Sequence, residues 1–100
     1  MDNFGLDRDT IDLIKKLFQT FEKVEKVKIF GSRAKGNFKN SSDIDFAVYG
    51  EINEKLLLHI ASELDELPTP YKFDVIHYND IENEKFKQSI DEFGKIFYIK

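Results

Sequence analysis

Phe30-Gly31-Ser32-Arg33-Ala34-Lys35-Gly36, followed a few residues on by Ser42-Asp43-Ile44-Asp45, is the informative segment. Val27, Ile29 and Phe30 read as a short strand that stops at Gly31. A glycine there lets the backbone turn sharply and come close to a ligand. The chain then stays polar and turn-rich as far as Ser42, with room for a single helical turn after Ser32. Backbone N–H groups at the start of such a turn make an anion site, and the Ser32 hydroxyl adds a donor. From Asp43 to Tyr49 the pattern alternates, with Ile44, Phe46 and Val48 on one face and Asp43, Asp45 and Ala47 on the other.

The period changes on both sides of this unit. Ile11, Ile14, Phe18 and Phe21 recur at helical spacing between Asp9 and Phe21, with Leu13 and Leu17 widening the stripe and Asp7 or Asp9 as the cap. Asn53 is placed to cap a second helix, whose stripe is Leu56, Leu57, Ile60, Leu64 and Leu67 before Pro68. Tyr71 to His77 reads as a third strand, and Asn79 to Phe93 as a third helix carrying Ile81, Phe86, Ile90 and Phe93. Gly94 is a natural stop, and Ile96 to Ile99 a short last strand. The order α-β-turn-β-α-β-α-β predicts an α/β (α+β) fold, a sheet with helices packed on it. No linker or repeat divides residues 1–100, which read as one domain.

Composition narrows the class. Leu, Ile, Val and Phe supply 33 residues, enough for one core and too many for a disordered chain. No apolar run approaches the roughly 18 residues that cross a bilayer, so no membrane partner is expected. The first residues carry no basic-then-apolar leader pattern. Without cysteine there is no disulfide framework, thiolate metal site or thiol nucleophile, and a cytoplasmic home is expected. The net charge of −4 is a poor basis for direct nucleic-acid binding, which needs cations to displace counterions.

Asp43 and Asp45, two apart on one strand face, sit about 6.5–7 Å apart at Cα and can converge on one hard cation. Asp74 interrupts an apolar strand, where a buried lone carboxylate is costly unless paired or metal-bound. If that strand lies beside the Asp43–Asp45 strand, three carboxylates repel one another unless a divalent metal joins them. Two ions about 3.5–4 Å apart are the known solution for phosphoryl and nucleotidyl transfer, and oxygen ligands favour Mg²⁺ or Mn²⁺ over zinc. Arg33 either touches phosphate or pairs with a local acid to hold the turn. Ser42 reads as a turn residue, and His59 and His77 as structural or surface groups. Gly31 and Gly36 have Walker A spacing, but Asn37-Phe38 stands where Lys-Ser/Thr is required, so this is not a P-loop.

With Gly31-Ser32-Arg33-Ala34-x-Gly36, Ser42-Asp43-x-Asp45 and the strand Asp74, the chain resembles the minimal nucleotidyltransferases of the DNA polymerase beta superfamily. The resemblance runs from the first helix to the last strand and implies the nucleotidyltransferase fold, a mixed sheet of about four strands with helices packed on it. It implies that Gly31 and Ser32 hold the triphosphate of ATP or another NTP; Arg33, from its place in the turn, is expected with them as a nucleotide-binding residue. It implies that Asp43 and Asp45 bind two Mg²⁺ ions, and that Asp74 completes the second site and helps activate the acceptor hydroxyl. Many such proteins are antitoxins of a small helical HEPN ribonuclease, and some adenylylate a tyrosine on it. The resemblance therefore implies a HEPN partner and transfer of AMP to a protein hydroxyl; because one core uses nearly all the elements of the chain, that hydroxyl is expected to dock beside the Gly31–Gly36 turn. A masking module with an idle site and a stand-alone small-molecule transferase are the alternatives, and a homo-oligomer is compatible with the sequence.

Overall fold

The computed structural model describes residues 3–100. The elements, in order, are α1 (Arg8–Gln19), β1 (Val24–Phe30), α2 (Ser32–Lys35), β2 (Ile44–Gly50), α3 (Glu54–Asp65), β3 (Phe73–His77), α4 (Glu84–Phe93) and β4 (Lys95–Ile99). The expected alternation is present, with some ends moved. β1 begins three residues before Val27, because Lys26 and Lys28 lie on its other face and dilute the apolar signal. The helix expected from Asn79 is split, for Tyr78–Asp80 forms a separate 3-10 turn and the Asn83 side chain accepts the Phe86 N–H to start α4 at Glu84. An N-cap resets the chain there. Asn53 caps α3 as expected, accepting from the Leu56 N–H at 2.8 Å, whereas Asp7 stands at the α1 N-cap without a side-chain bond.

The sheet runs β3-β2-β1-β4, with β2 and β3 parallel and the other pairs antiparallel, so it is mixed. A parallel pair needs a crossover, and α3 supplies it between β2 and β3. One sheet face is apolar throughout. Val27, Ile29, Phe46, Val48 and Phe97 are buried there with Ile14 and Phe18 of α1 and Ile60 and Leu64 of α3. Phe46 packs against the Phe18 ring at 5.2 Å and the Phe97 ring at 4.9 Å, and burial of each such side chain contributes about 1.5–3 kcal/mol. The opposite face carries Phe30, Asp45 and Asp74 as lateral neighbours, and α4 packs on it through Phe86 against Phe30, ring centroids 5.7 Å apart. Among the described residues no helix is long and apolar enough to cross a membrane.

Candidate active site

β1 ends on the polar face, and Gly31 turns the chain into α2 with φ 75° and ψ −154°, a backbone that L side chains rarely adopt. The Lys35 N–H donates to the Gly31 carbonyl at 3.1 Å, and the Gly36 N–H to the Ser32 carbonyl at 2.9 Å. In so short a helix the N–H groups of Ser32, Arg33 and Ala34 have no carbonyl one turn back, so they are available to an anion. Ser32 is half-buried at this corner.

Arg33 points the other way. It is only 1% exposed. Its guanidinium donates to the Phe4 carbonyl at 2.9 Å, the Asn40 carbonyl at 3.1 Å, and the Ser42 carbonyl from both Nε and an Nη. The rings of Phe38 and Tyr71 lie 5.1 and 5.0 Å from its central carbon. Of the two roles open to Arg33 in the sequence, this geometry is that of holding the turn, through backbone carbonyls rather than an acid. No sequence pattern marks a carbonyl acceptor; the available sign is that residues 31–42 contain no carboxylate with which Arg33 could pair. Ser42 is a turn residue, its Oγ accepting the Lys39 N–H at 2.8 Å.

Asp43 lies just before β2 and is exposed, while Asp45 is half-buried within it. Asp45 pairs laterally with Phe30 on β1 and with Asp74 on β3. Paired residues stand side by side on one face, so the two carboxylates project together from adjacent strands about 4.8 Å apart. Asp74 is exposed rather than buried, because β3 is an edge strand and its polar-face side opens to solvent. Burial, then the charges of Asp74 and Asp43, push the Asp45 carboxyl up to about 6 from 3.8. The Asp45 Oδ2 lies 2.3 Å from where a β-carbon on residue 31 would stand. Only glycine leaves room for that oxygen beside the turn.

These are hard oxygen donors with mutual repulsion that a divalent cation relieves, and the set fits Mg²⁺ or Mn²⁺. The carboxylates do not close into a coordination shell by themselves: among the described residues no three acidic or histidine side chains are arranged to hold a metal. The histidines sit elsewhere. His59 approaches Glu63 at 3.3 Å, and His77 bridges the Gly50 carbonyl at 2.8 Å and Asp80 at 3.0 Å. A cavity of about 500 Å³ between the α1–β1 connection and the start of α3, lined by residues such as Thr20, Phe21, Asn53 and His59, includes none of the three aspartates.

Comparison with known proteins bears on the family and the fold. A Methanocaldococcus jannaschii protein, provisionally named a protein adenylyltransferase, is 36% identical over 80 residues, 78% of this chain and 81% of its own length. A chain from the crystal structure of a toxin-antitoxin with AMP-PNP superposes with a TM-score of 0.72 at 20% identity, covering 95% of this chain and 75% of that one. A chain from the structure of a tri-AMPylated Shewanella oneidensis HEPN toxin in complex with MNT antitoxin gives 0.63 at 20% identity, covering 95% and 74%. At that identity the two superpositions speak for the fold. The family described as polymerase beta, nucleotidyltransferase matches residues 12–100, from α1 through the Gly31 turn and all three aspartates to the last strand. On that match and on the fold, the chain belongs to the polymerase beta nucleotidyltransferase family.

Proposed function

We propose that this protein transfers AMP from ATP to a hydroxyl on a partner protein, as the antitoxin of a HEPN ribonuclease toxin. The observation that carries the reading is the lateral pair Asp45–Asp74, with the Asp45 carboxylate pressed against Gly31 at the start of the turn. A triphosphate on the turn brings its α-phosphorus beside the carboxylates. The named activity of the Methanocaldococcus jannaschii relative and the toxin-antitoxin setting of the structural neighbours support both the protein acceptor and the HEPN partner.

The N–H groups of Ser32, Arg33 and Ala34 and the Ser32 hydroxyl receive the phosphate oxygens, while Arg33 keeps the turn in shape from beneath. Asp43, Asp45 and Asp74 would hold Mg²⁺, as two ions, with Mn²⁺ as a substitute. Bound there, the metal supplies positive charge to the triphosphate and lowers the pKa of an acceptor hydroxyl. The acceptor oxygen forms a bond to the α-phosphorus, and the bond from that phosphorus to the pyrophosphate oxygen breaks with its electron pair. The hydroxyl proton passes to an Asp74 carboxylate oxygen. Asp74 is exposed at the sheet edge, where an incoming macromolecule can reach it.

Calorimetric titration tests the reading. MgATP is expected to bind, and ATP with excess chelator to bind at least tenfold more weakly. Equal affinity in the two titrations contradicts a carboxylate-held metal site.

A further inference from the structure

The site is electrically lopsided. Residues 31–42 contain Arg33, Lys35 and Lys39 and no carboxylate. Residues 74–84 contain Asp74, Asp80, Glu82 and Glu84 and neither lysine nor arginine, with Lys72 just before them and Lys85 and Lys87 just after. The sheet order sets these segments on opposite sides of Asp45, with the turn following β1 on one side and β3 as the edge strand on the other. In-line displacement places the leaving and attacking oxygens on opposite sides of the phosphorus. With pyrophosphate leaving over the turn, the acceptor attacks from the β3 side.

An apolar cleft waits on that side. Val75, Ile76, Ile81 and Phe86 help to line a cavity of about 360 Å³, with Asp80 and Glu82 on its wall. Ile76 is one same-face step along β3 from Asp74, about 6.5–7 Å. Phe86 is 40% exposed, and among the described residues its one ring contact is with Phe30. Ile76, Ile81 and Phe86 together leave apolar surface open on this side of the carboxylates.

Resting on the transfer reading above, we propose that the acceptor hydroxyl arrives over the β3 edge, not beside the Gly31–Gly36 turn, on a lysine- or arginine-rich partner segment. An apolar side chain of that segment seats against Ile76, Ile81 and Phe86, while its cations face Asp80, Glu82 and Glu84. Apolar anchoring within a charged rim gives affinity and orientation together. The seated segment sets its hydroxyl beside Asp74, at the roughly 3–3.5 Å from phosphorus that attack requires.

The test uses ATP labelled at the α-phosphate and synthetic peptides. One has Ile-Tyr-Ile at its centre with arginines on both flanks; its counterpart has glutamates instead. The basic peptide is expected to be labelled at least tenfold faster. Ile81→Lys should cut that rate at least tenfold, and Glu82→Lys, at an exposed position that leaves folding intact, at least threefold, both with MgATP affinity within twofold of the parent. Equal labelling of the two peptides, unchanged rates in Glu82→Lys, or no label on either peptide while MgATP still binds overturns the inference and leaves the transfer reading standing. Failure of the parent protein to bind MgATP overturns both.

Discussion

The Asp45 Oδ2 occupies the space that a β-carbon on residue 31 would fill, 2.3 Å from that position. A strand end and a neighbouring strand carboxylate thus share one corner. Gly31→Ala meets two penalties there, the clash and a φ of 75°. The variant is expected to lose about 1–3 kcal/mol of stability and at least tenfold in MgATP affinity, as read by thermal unfolding and calorimetry. Parent-like MgATP binding in a folded Gly31→Ala protein would show that the close approach is incidental.

Asp45→Asn separates the site from the fold. The carboxyl is pushed up to about 6 in the folded protein from 3.8, so the native state holds its proton more tightly than the unfolded chain. That contribution to stability is full below the unfolded value and is lost as pH rises through about 6. Measured without divalent metal, the variant is therefore expected to melt about 2–5 °C higher than the parent at pH 8 and to gain nothing at pH 4. Transfer activity should fall by at least a hundredfold. An advantage at pH 4 as large as at pH 8 contradicts the repulsion argument.

Arg33 offers the converse case. Its guanidinium is buried on the carbonyls of Phe4, Asn40 and Ser42. Arg33→Met leaves those acceptors without a charged donor and is expected to cost about 3 kcal/mol or more, lowering the midpoint by about 10 °C or more. Arg33→Lys should rescue little, because one ammonium cannot span a planar fork's acceptors. In whatever fraction stays folded, MgATP affinity should stay within a few-fold. Full stability with lost nucleotide affinity indicates a phosphate contact instead.

Much of the fold is legible in the sequence. Alternation in Ile44-Asp45-Phe46-Ala47-Val48 separates a core face from a polar one in any sheet, and β2 has that pattern at its centre. The stripe of α3 and its Asn53 cap are equally local. What the residues alone could not give was lateral order. The pairing of Asp45 with Asp74 depends on the α3 crossover bringing β3 in parallel, and apolar flanks concealed that β3 is an exposed edge. The depth of Arg33 was hidden for a different reason, since its partners are backbone carbonyls that carry no residue identity. The start of α4 moved because Asn83, a strong cap, lies inside a stretch whose apolar spacing still reads as one helix.

In the function proposed above, Asp43, Asp45 and Asp74 form a metal-dependent site for transfer to a partner protein. The most direct measurement of that function is label transfer from α-phosphate-labelled ATP to a co-expressed HEPN partner, with parent protein and Asp74→Asn side by side. Labelled AMP is expected on the partner with Mg²⁺, none with chelator, and none with a folded Asp74→Asn protein. Undiminished labelling by Asp74→Asn, or efficient transfer to a small sugar or antibiotic with no partner present, would contradict it.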